Sequence, residues 1–333
     1  GDNNTAVGFD SLKANTTGAH NVAVGARAGD ANTTGTQNTF VGGDYNGGPG
    51  GANTTGGCNT FIGNDSGMKN TTGSFSTSVG AESSCNGTTS HSNAALGYKA
   101  LKLLTTGNHN VAIGREAMIS NTTGTRNTGI GAYALYGNTT AEANTAVGYS
   151  ALETNTTGEG NTSIGLSALT GTTTGAYNVA VGANAGLSQT TGGNNVFVGD
   201  SSGRCSTTGC KNTAVGSGAL YGAGGSGTVM QNNTAVGYRS LYTNTTGASN
   251  TAVGLCALNA NTTGSDNTSV GYASLYTNTT GALNTAVGLF ALCANTTANE
   301  NTAVGTNSLR ENTTGTDNVA VGFCALKTNT TGP

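Results

Sequence analysis

The stretch "NTAVGYSALETNTTGEG" at Asn144–Gly160 is one period of a repeat that runs through the chain. Its opening "NTAVG", or a close relative, occurs 19 times, spaced by 17 residues in 16 intervals and by 21 residues in two. We number the period from position 1, its first asparagine, to position 17. The copies open at Asn4, Asn21, Asn38, Asn59, Ser76, Asn93, Asn110, Asn127, Asn144, Asn161, Asn178, Asn195, Asn212, Asn233, Asn250, Asn267, Asn284, Asn301 and Asn318. Such a period indicates a stack of one small unit rather than several globular domains.

The repeat predicts β-structure and no helix, because glycine and asparagine interrupt every copy. Two short extended segments fit each copy, at positions 2–4 and 12–14. Each precedes a glycine, at position 5 or 15, whose tolerance of positive φ suits a tight corner. Asparagines at positions 1 and 12 would form amide ladders between stacked coils.

The predicted fold is therefore all-β, a parallel β-solenoid of 19 coils that forms a single domain over residues 1–333. Four-residue corner insertions are expected near residues 46–52 and 222–227. With strands about 4.8 Å apart, 19 coils would make a rod of about 90 Å.

The sizes of the side chains at positions 3 and 9 are complementary: where one is large, the other is small. Position 3 is small except at Phe40, Phe61 and Phe197. The coils of these phenylalanines have Asn46, Gly67 and Gly203 at position 9, where most coils have leucine or methionine. The exchange predicts that both positions fill the coil interior.

Positions 2 and 4 would then face outward as an apolar stripe along the chain. A patch of that length is expected to have a partner. The alternative, in which position 4 faces inward and position 3 is merely small, would permit a monomer. The predicted inter-chain stripe includes Val7, Val24, Val41, Ile62, Val147, Val253 and Val321.

The composition excludes several classes of protein. The 333 residues include 56 glycines, 2 prolines and no tryptophan, and charged residues make up 8%, against about a quarter in ordinary soluble domains. Scarce proline without a Gly-X-Y period excludes collagen. A net charge of −3 offers no basic surface for nucleic acid, and no apolar run of about 20 residues could insert into a membrane.

Copies such as "NVAVGARAG" (Asn21–Gly29), "NVAIGREAM" (Asn110–Met118) and "NVAVGANAG" (Asn178–Gly186) resemble the N-S-V-A-I-G repeats of trimeric autotransporter adhesin heads. Similar repeats occur in phage tail fibres. The resemblance implies a left-handed parallel β-roll, three chains side by side, and a surface adhesin or fibre. The family repeat is shorter, and this one adds an "NTTG" arm.

Catalysis has little support, because the ionisable residues form no acid–base pair and no metal-ligand spacing. We expect no enzyme, metal or cofactor. Cys205 and Cys210 flank "STTG" and could form a disulfide at one corner. With seven cysteines, at least one thiol stays free or joins another chain.

The "NTT" element matches the N-glycosylation acceptor pattern. A row of glycans along one corner is one interpretation; we favour the other, that asparagine and threonine are good turn and ladder residues. The candidate sites are Asn15, Asn32, Asn53, Asn70, Asn121, Asn138, Asn155, Asn244, Asn261, Asn278, Asn295, Asn312 and Asn329.

Two other side-chain types recur. Adjacent threonines at positions 13 and 14 raise the possibility of ice binding, but they would point to opposite faces, which leaves one hydroxyl per coil on each. Tyrosines recur at positions 6 and 10, where corner packing is the preferred interpretation and sugar stacking or contacts between rods are the alternatives.

These patterns favour a structural and adhesive extracellular fibre on a cell or virion surface, without catalysis. Self-association would occur as a lateral trimer, or head to tail because the two ends fall at nearly the same position of the repeat. A surface glycan or receptor is the other expected partner, with no nucleic acid and no membrane. The alternatives are a receptor-binding viral or phage fibre module and an ice-binding protein.

Overall fold

In the computed structural model, residues 1–43, 47–222 and 229–332 are described, and this part of the chain is all-β without a helix. The chain divides into two compact units, Gly1–Asn161 and Thr162–Pro333. Each coil contributes one three-residue strand at positions 2–4. Consecutive strands within each unit pair in parallel, with equivalent residues opposite one another. The predicted parallel β-solenoid is confirmed.

The first unit contains β1 (Thr5–Val7), β2 (Val22–Val24), β3 (Thr39–Val41), β4 (Thr60–Ile62), β5 (Thr77–Val79), β6 (Ala94–Leu96), β7 (Val111–Ile113), β8 (Thr128–Ile130) and β9 (Thr145–Val147). The second unit contains β10 (Thr162–Ile164), β11 (Val179–Val181), β12 (Val196–Val198), β13 (Thr213–Val215), β14 (Thr234–Val236), β15 (Thr251–Val253), β16 (Thr268–Val270), β17 (Thr285–Val287), β18 (Thr302–Val304) and β19 (Val319–Val321).

The two longer coils keep the strand register. Thr39 pairs with Thr60, and Thr213 pairs with Thr234, although 21 residues separate the starts of these coils. The extra residues therefore lie outside the strands. Of the predicted insertions, Asn46 and residues 223–227 lie outside the described residues.

The first insertion precedes position 9 of its coil, whereas an insertion at residues 46–52 would begin at that position. The Gly50 N–H donates to the Ser66 carbonyl of the next coil, as the position-9 amide does in other coils. Gly50, and not Asn46, therefore occupies position 9, and the extra residues lie between Gly43 and Pro49.

The Asn-Thr-Thr segment is not a second strand, contrary to prediction. Three consecutive amides, those of Thr16, Thr17 and Gly18, lie 2.9, 3.2 and 3.3 Å from one acceptor, the Thr33 carbonyl oxygen of the next coil. A β-ladder needs separate acceptors for separate amides. Convergence on one carbonyl bends the chain instead, so the segment forms a corner.

The middle residue of each strand faces the interior, as predicted. Ala146 is fully buried between the partly exposed Thr145 and Val147, and Leu152 at position 9 is fully buried in the same coil. The two positions therefore supply the apolar core.

The exchange of volume is also confirmed. A Cβ atom built on Gly203 would lie 2.3 Å from the Phe197 ring, and one on Gly67 would lie 2.7 Å from the Phe61 ring. At Gly50 the distance to the Phe40 ring would be 2.3 Å. These rings occupy the space that a position-9 side chain fills in other coils.

Glycine is favoured at positions 5 and 15 for different physical reasons. Position-5 glycines have φ between 124° and 138°, a region that side chains rarely adopt. Position-15 glycines such as Gly35 do not have positive φ, so that part of the prediction is wrong. A Cβ at Gly35 would lie 2.4 Å from both the Asn32 Oδ1 and the Gly56 carbonyl oxygen. Close approach of neighbouring atoms favours glycine there.

Positions 7, 9 and 17 also adopt left-handed backbone without requiring glycine, which the sequence did not predict. Ser150 and Leu152 both have φ of 52°, and Ala143 has φ of 57°. Such residues are individually unfavourable by about 1–2 kcal/mol. Bonds to the neighbouring coils hold them: the Leu135 amide, at position 9, donates to the Ala151 carbonyl at 3.0 Å.

Candidate functional site

The outer face, defined as the side chains at positions 2 and 4 of every coil, points away from the interior. Its predicted orientation is confirmed. Val24 is 38% exposed and Leu96 is 49% exposed, and the other stripe residues between them are partly exposed. No residue at either position is charged. Val7 and Val321, in the first and last coils, are more exposed still.

The asparagines of positions 1 and 12 form two ladders inside the coil. The Asn261 Nδ2 donates to the Asn244 Oδ1 of the preceding coil at 2.9 Å and to the Gly264 carbonyl at 2.9 Å. The Asn250 Nδ2, from position 1, donates to the same Gly264 carbonyl at 2.9 Å. Both asparagines of a coil therefore converge on its position-15 carbonyl, and the predicted ladders are confirmed.

Burial of the candidate asparagines favours the ladder interpretation over N-glycosylation at most of the sites. Eleven of the thirteen asparagines are buried, and Asn15 and Asn329 are partly exposed. A glycan would have to be attached to the Nδ2 that donates inside the coil, so burial leaves no room for it. The eleven are Asn32, Asn53, Asn70, Asn121, Asn138, Asn155, Asn244, Asn261, Asn278, Asn295 and Asn312.

The adjacent threonines at positions 13 and 14 differ in hydrogen bonding and exposure. The Thr262 Oγ1 donates to the Thr279 carbonyl at 3.0 Å, whereas Thr263 is exposed. The same division recurs at Thr245 and Thr246. Of these two positions, only position 14 has its hydroxyl free to contact solvent. An ice surface at this corner would therefore meet a single row of threonines.

The predicted Cys205–Cys210 disulfide is not formed, and all seven cysteines of the chain are thiols. The Cys210 Sγ instead accepts a hydrogen bond from the Gly193 amide at 3.4 Å. Burial raises the pKa of four thiols above its ordinary value of 9.0. These are Cys85, Cys205, Cys256 and Cys293.

Aromatic and cationic side chains gather at the aromatic corner, which we define as positions 6, 7 and 10. In the first unit, the Tyr133 ring lies 5.8 Å from the Tyr136 ring and 5.7 Å from the Tyr149 ring. The Arg115 guanidinium carbon is 5.5 Å from the Tyr133 ring centroid. The predicted corner packing of tyrosines is therefore present, but with arginines included.

A second group of this kind lies in the second unit. The Tyr272 and Phe290 rings meet edge to face at 5.2 Å, and the Arg310 guanidinium carbon is 5.1 Å from the Phe290 centroid. Beside them lies an open cavity of about 260 Å³, also lined by Cys256 and Cys293. Its lining is mainly apolar and contains no carboxylate.

Groups that could hold a metal ion, meaning three or more His, Cys, Asp or Glu side chains together, do not occur within residues 1–43, 47–222 and 229–332. The same residues include no helix of the length and hydropathy needed to cross a membrane. No protein-family model matches the chain, and no curated protein matches it.

Proposed function

We propose that this chain is a structural and adhesive fibre protein of an extracellular or virion surface, whose copies associate side by side through the outer face. The observation that supports the proposal is the outer face itself. Position 4 is aliphatic in every coil although none of its side chains is buried. An uncharged stripe of this kind is what a monomeric soluble protein avoids and an assembled one uses.

The area of the face fits an interface. Three residues of a strand span about 10 Å and strands lie about 4.8 Å apart, so nine strands present about 400 Å² of projected surface. A stable interface buries about 800 Å² per partner. Copies would therefore use the outer faces of both units, or one face together with its flanking corners.

Self-association is also favoured by the repeat. Successive coils present the same side chains at the strand spacing, so a second copy offers a matching surface at every coil. Three chains, as in the adhesin heads that the sequence resembles, would bring three outer faces to one axis.

The test is the molar mass of the full chain, measured by light scattering after size-exclusion chromatography. We expect a multiple of the 32.5 kDa chain mass. One glutamate on the outer face of each unit, in a Val147→Glu, Val253→Glu double variant, should shift the mass toward that of one chain, because burying an unpaired carboxylate is costly.

The matched control places the same charges on exposed position-14 residues, as Thr157→Glu with Thr263→Glu, and should leave the mass unchanged. A wild-type chain that elutes as a monomer at concentrations of about 100 μM, well above a micromolar Kd, would contradict side-by-side association. So would a control that dissociates as far as the outer-face variant.

A further inference from the structure

A cleft at the aromatic corner of the second unit departs from the chemistry of the repeat. It has a volume of about 150 Å³ and is lined by Asp200, Gly218, Tyr221, Tyr238, Arg239 and Tyr242. These residues come from three successive coils and combine aromatic rings with both signs of charge. Position 6 is alanine or leucine in seven of the 19 coils, so the repeat itself does not require aromatic rings at this corner.

The walls of the cleft are tyrosine rings. Tyr221 and Tyr242 stack with centroids 4.9 Å apart and planes inclined by 19°. The Arg204 Nη1 donates to the Tyr221 Oη at 3.2 Å, which fixes that wall from outside. Tyr238 is 47% exposed and closes the other side. The faces of Tyr221 and Tyr242 contact each other and the guanidinium groups of two arginines, so Tyr238 offers the most exposed ring surface to the C–H groups of a ligand.

The Arg239 guanidinium lies against these walls. Its central carbon is 5.0 Å from the Tyr242 centroid and 5.2 Å from the Tyr238 centroid. Among the described residues, no carboxylate and no carbonyl accepts a hydrogen bond from it. A guanidinium held by two rings keeps its fork of N–H donors for a planar, charged acceptor such as a carboxylate.

The floor of the cleft is open because position 7 is glycine in one coil. A Cβ on Gly218 would meet the Tyr242 ring at 3.4 Å and the Arg239 Cγ at 3.5 Å. Gly218 has φ of 64°, yet position 7 accepts other residues at similar φ, such as Ser201 at 55°. The backbone therefore does not require glycine, and its absent side chain leaves the space.

We propose that this cleft binds a saccharide that carries a carboxylate, of the uronic or sialic acid type. The sugar ring packs against the exposed part of the Tyr238 ring, its carboxylate pairs with Arg239, and the Asp200 carboxylate accepts hydrogen bonds from its hydroxyls. A cavity of about 150 Å³ suits one sugar ring, since sites for drug-sized ligands measure about 300–1,000 Å³. The inference rests on the adhesive part of the proposed function and is independent of self-association.

The test is titration of the full chain with tetragalacturonate, followed by calorimetry. Neutral galactotetraose and tetraglutamate are the comparison ligands. We expect saturable binding of tetragalacturonate only. Arg239→Gln should weaken it by at least about tenfold through loss of the ion-paired hydrogen bonds, and Gly218→Gln should do so by filling the cleft.

The matched control is Arg27→Gln, which removes the same charge from the same repeat position in a coil whose positions 6 and 10 are Ala26 and Asp30 rather than tyrosine. It should leave the affinity unchanged. The inference is overturned if tetragalacturonate shows no saturable binding, if either comparison ligand binds as tightly, or if Arg239→Gln or Gly218→Gln binds like the wild type. The molar mass of each variant is measured in parallel, so a chain that associates but does not bind uronate contradicts this inference alone.

Discussion

In a coil with phenylalanine at position 3 and glycine at position 9, replacing both residues together, by alanine and leucine, should cost much less stability than the two single substitutions added together. The coil of Phe197 and Gly203 is suited to the experiment. Phe197 is fully buried, so Phe197→Ala is expected to cost about 3–5 kcal/mol of unfolding free energy.

Gly203→Leu alone should also destabilise the fold, by about 1–3 kcal/mol or more. Its Cβ would lie 2.3 Å from the Phe197 ring, so the side chain cannot enter the interior. The backbone is not the obstacle, because Gly203 has φ of 58° and Leu152 adopts 52° at the equivalent position.

The double variant recreates the alanine and leucine pair that other coils contain, such as Ala146 with Leu152. Independent effects would sum to about 4–8 kcal/mol, whereas we expect a net loss of about 1–2 kcal/mol. The residual loss arises because Gly186 of the preceding coil, whose added Cβ would lie 2.8 Å from the Phe197 ring, stays small and leaves a void.

The assay is urea denaturation followed by circular dichroism, on the wild type, both single variants and the double variant. Phe197→Ala combined with the distant Leu275→Ala serves as a control, for which the losses should add within about 0.5 kcal/mol. If the losses of Phe197→Ala and Gly203→Leu also add within that margin, the two positions do not share one space.

The remaining predictions concern the ladders and the thiols. Asn261→Ala should cost about 1–3 kcal/mol by leaving buried ladder partners unsatisfied, whereas Thr263→Ala, which removes the same glycosylation pattern at an exposed residue, should leave the melting temperature nearly unchanged. Equal losses would contradict an internal role for the amide. Gly87 stands where other coils have the ladder asparagine, and its Cβ would meet the Ser90 Oγ at 2.9 Å. Gly87→Asn with Ser90→Gly should therefore extend the ladder from Asn70 and stabilise the fold by about 0.5–1.5 kcal/mol, and a lowered melting temperature would refute this. Finally, the four buried or partly buried thiols hold their protons more tightly in the folded state, so their contribution to stability is present below pH 9.0 and is lost as pH rises through their raised pKa. The urea midpoint should fall between neutral pH and about pH 10, and alanine at all four positions should flatten that fall.

The strands and their register could be predicted because they depend on period and on side-chain volume, both visible in sequence. In the coil of Phe197 and Gly203, a large residue at position 3 accompanies a small one at position 9, which indicates that both share the interior. Since side chains alternate along a strand, position 4, as at Val147, then lies outside. The segment at positions 12–14 could not be assigned correctly, since its shape depends on which carbonyl its amides reach. Residue types alone do not reveal that three amides donate hydrogen bonds to the Thr33 carbonyl.

The sequence left glycosylation open as an alternative at the buried asparagines for a related reason. The sequence Asn-Thr-Thr is the same whether the asparagine amide is exposed to solvent or, as at Asn261, hydrogen-bonded within a ladder. The cleft could be predicted only in part. Tyrosines at positions 6 and 10 are visible in the sequence, but the stacking of Tyr221 on Tyr242 and the open floor at Gly218 depend on rotamers and on neighbouring coils.

The retained register of the two 21-residue coils has a consequence for how such a chain can change. The first insertion lies between Gly43 and Pro49, and the second follows Gly222, yet Thr39 still faces Thr60 and Thr213 still faces Thr234. Two different corners therefore accept additional sequence without disturbing the strands. Genetic drift or laboratory grafting could vary a displayed loop at one coil while the remaining coils stay the same, so the scaffold separates the evolution of its surface from that of its core.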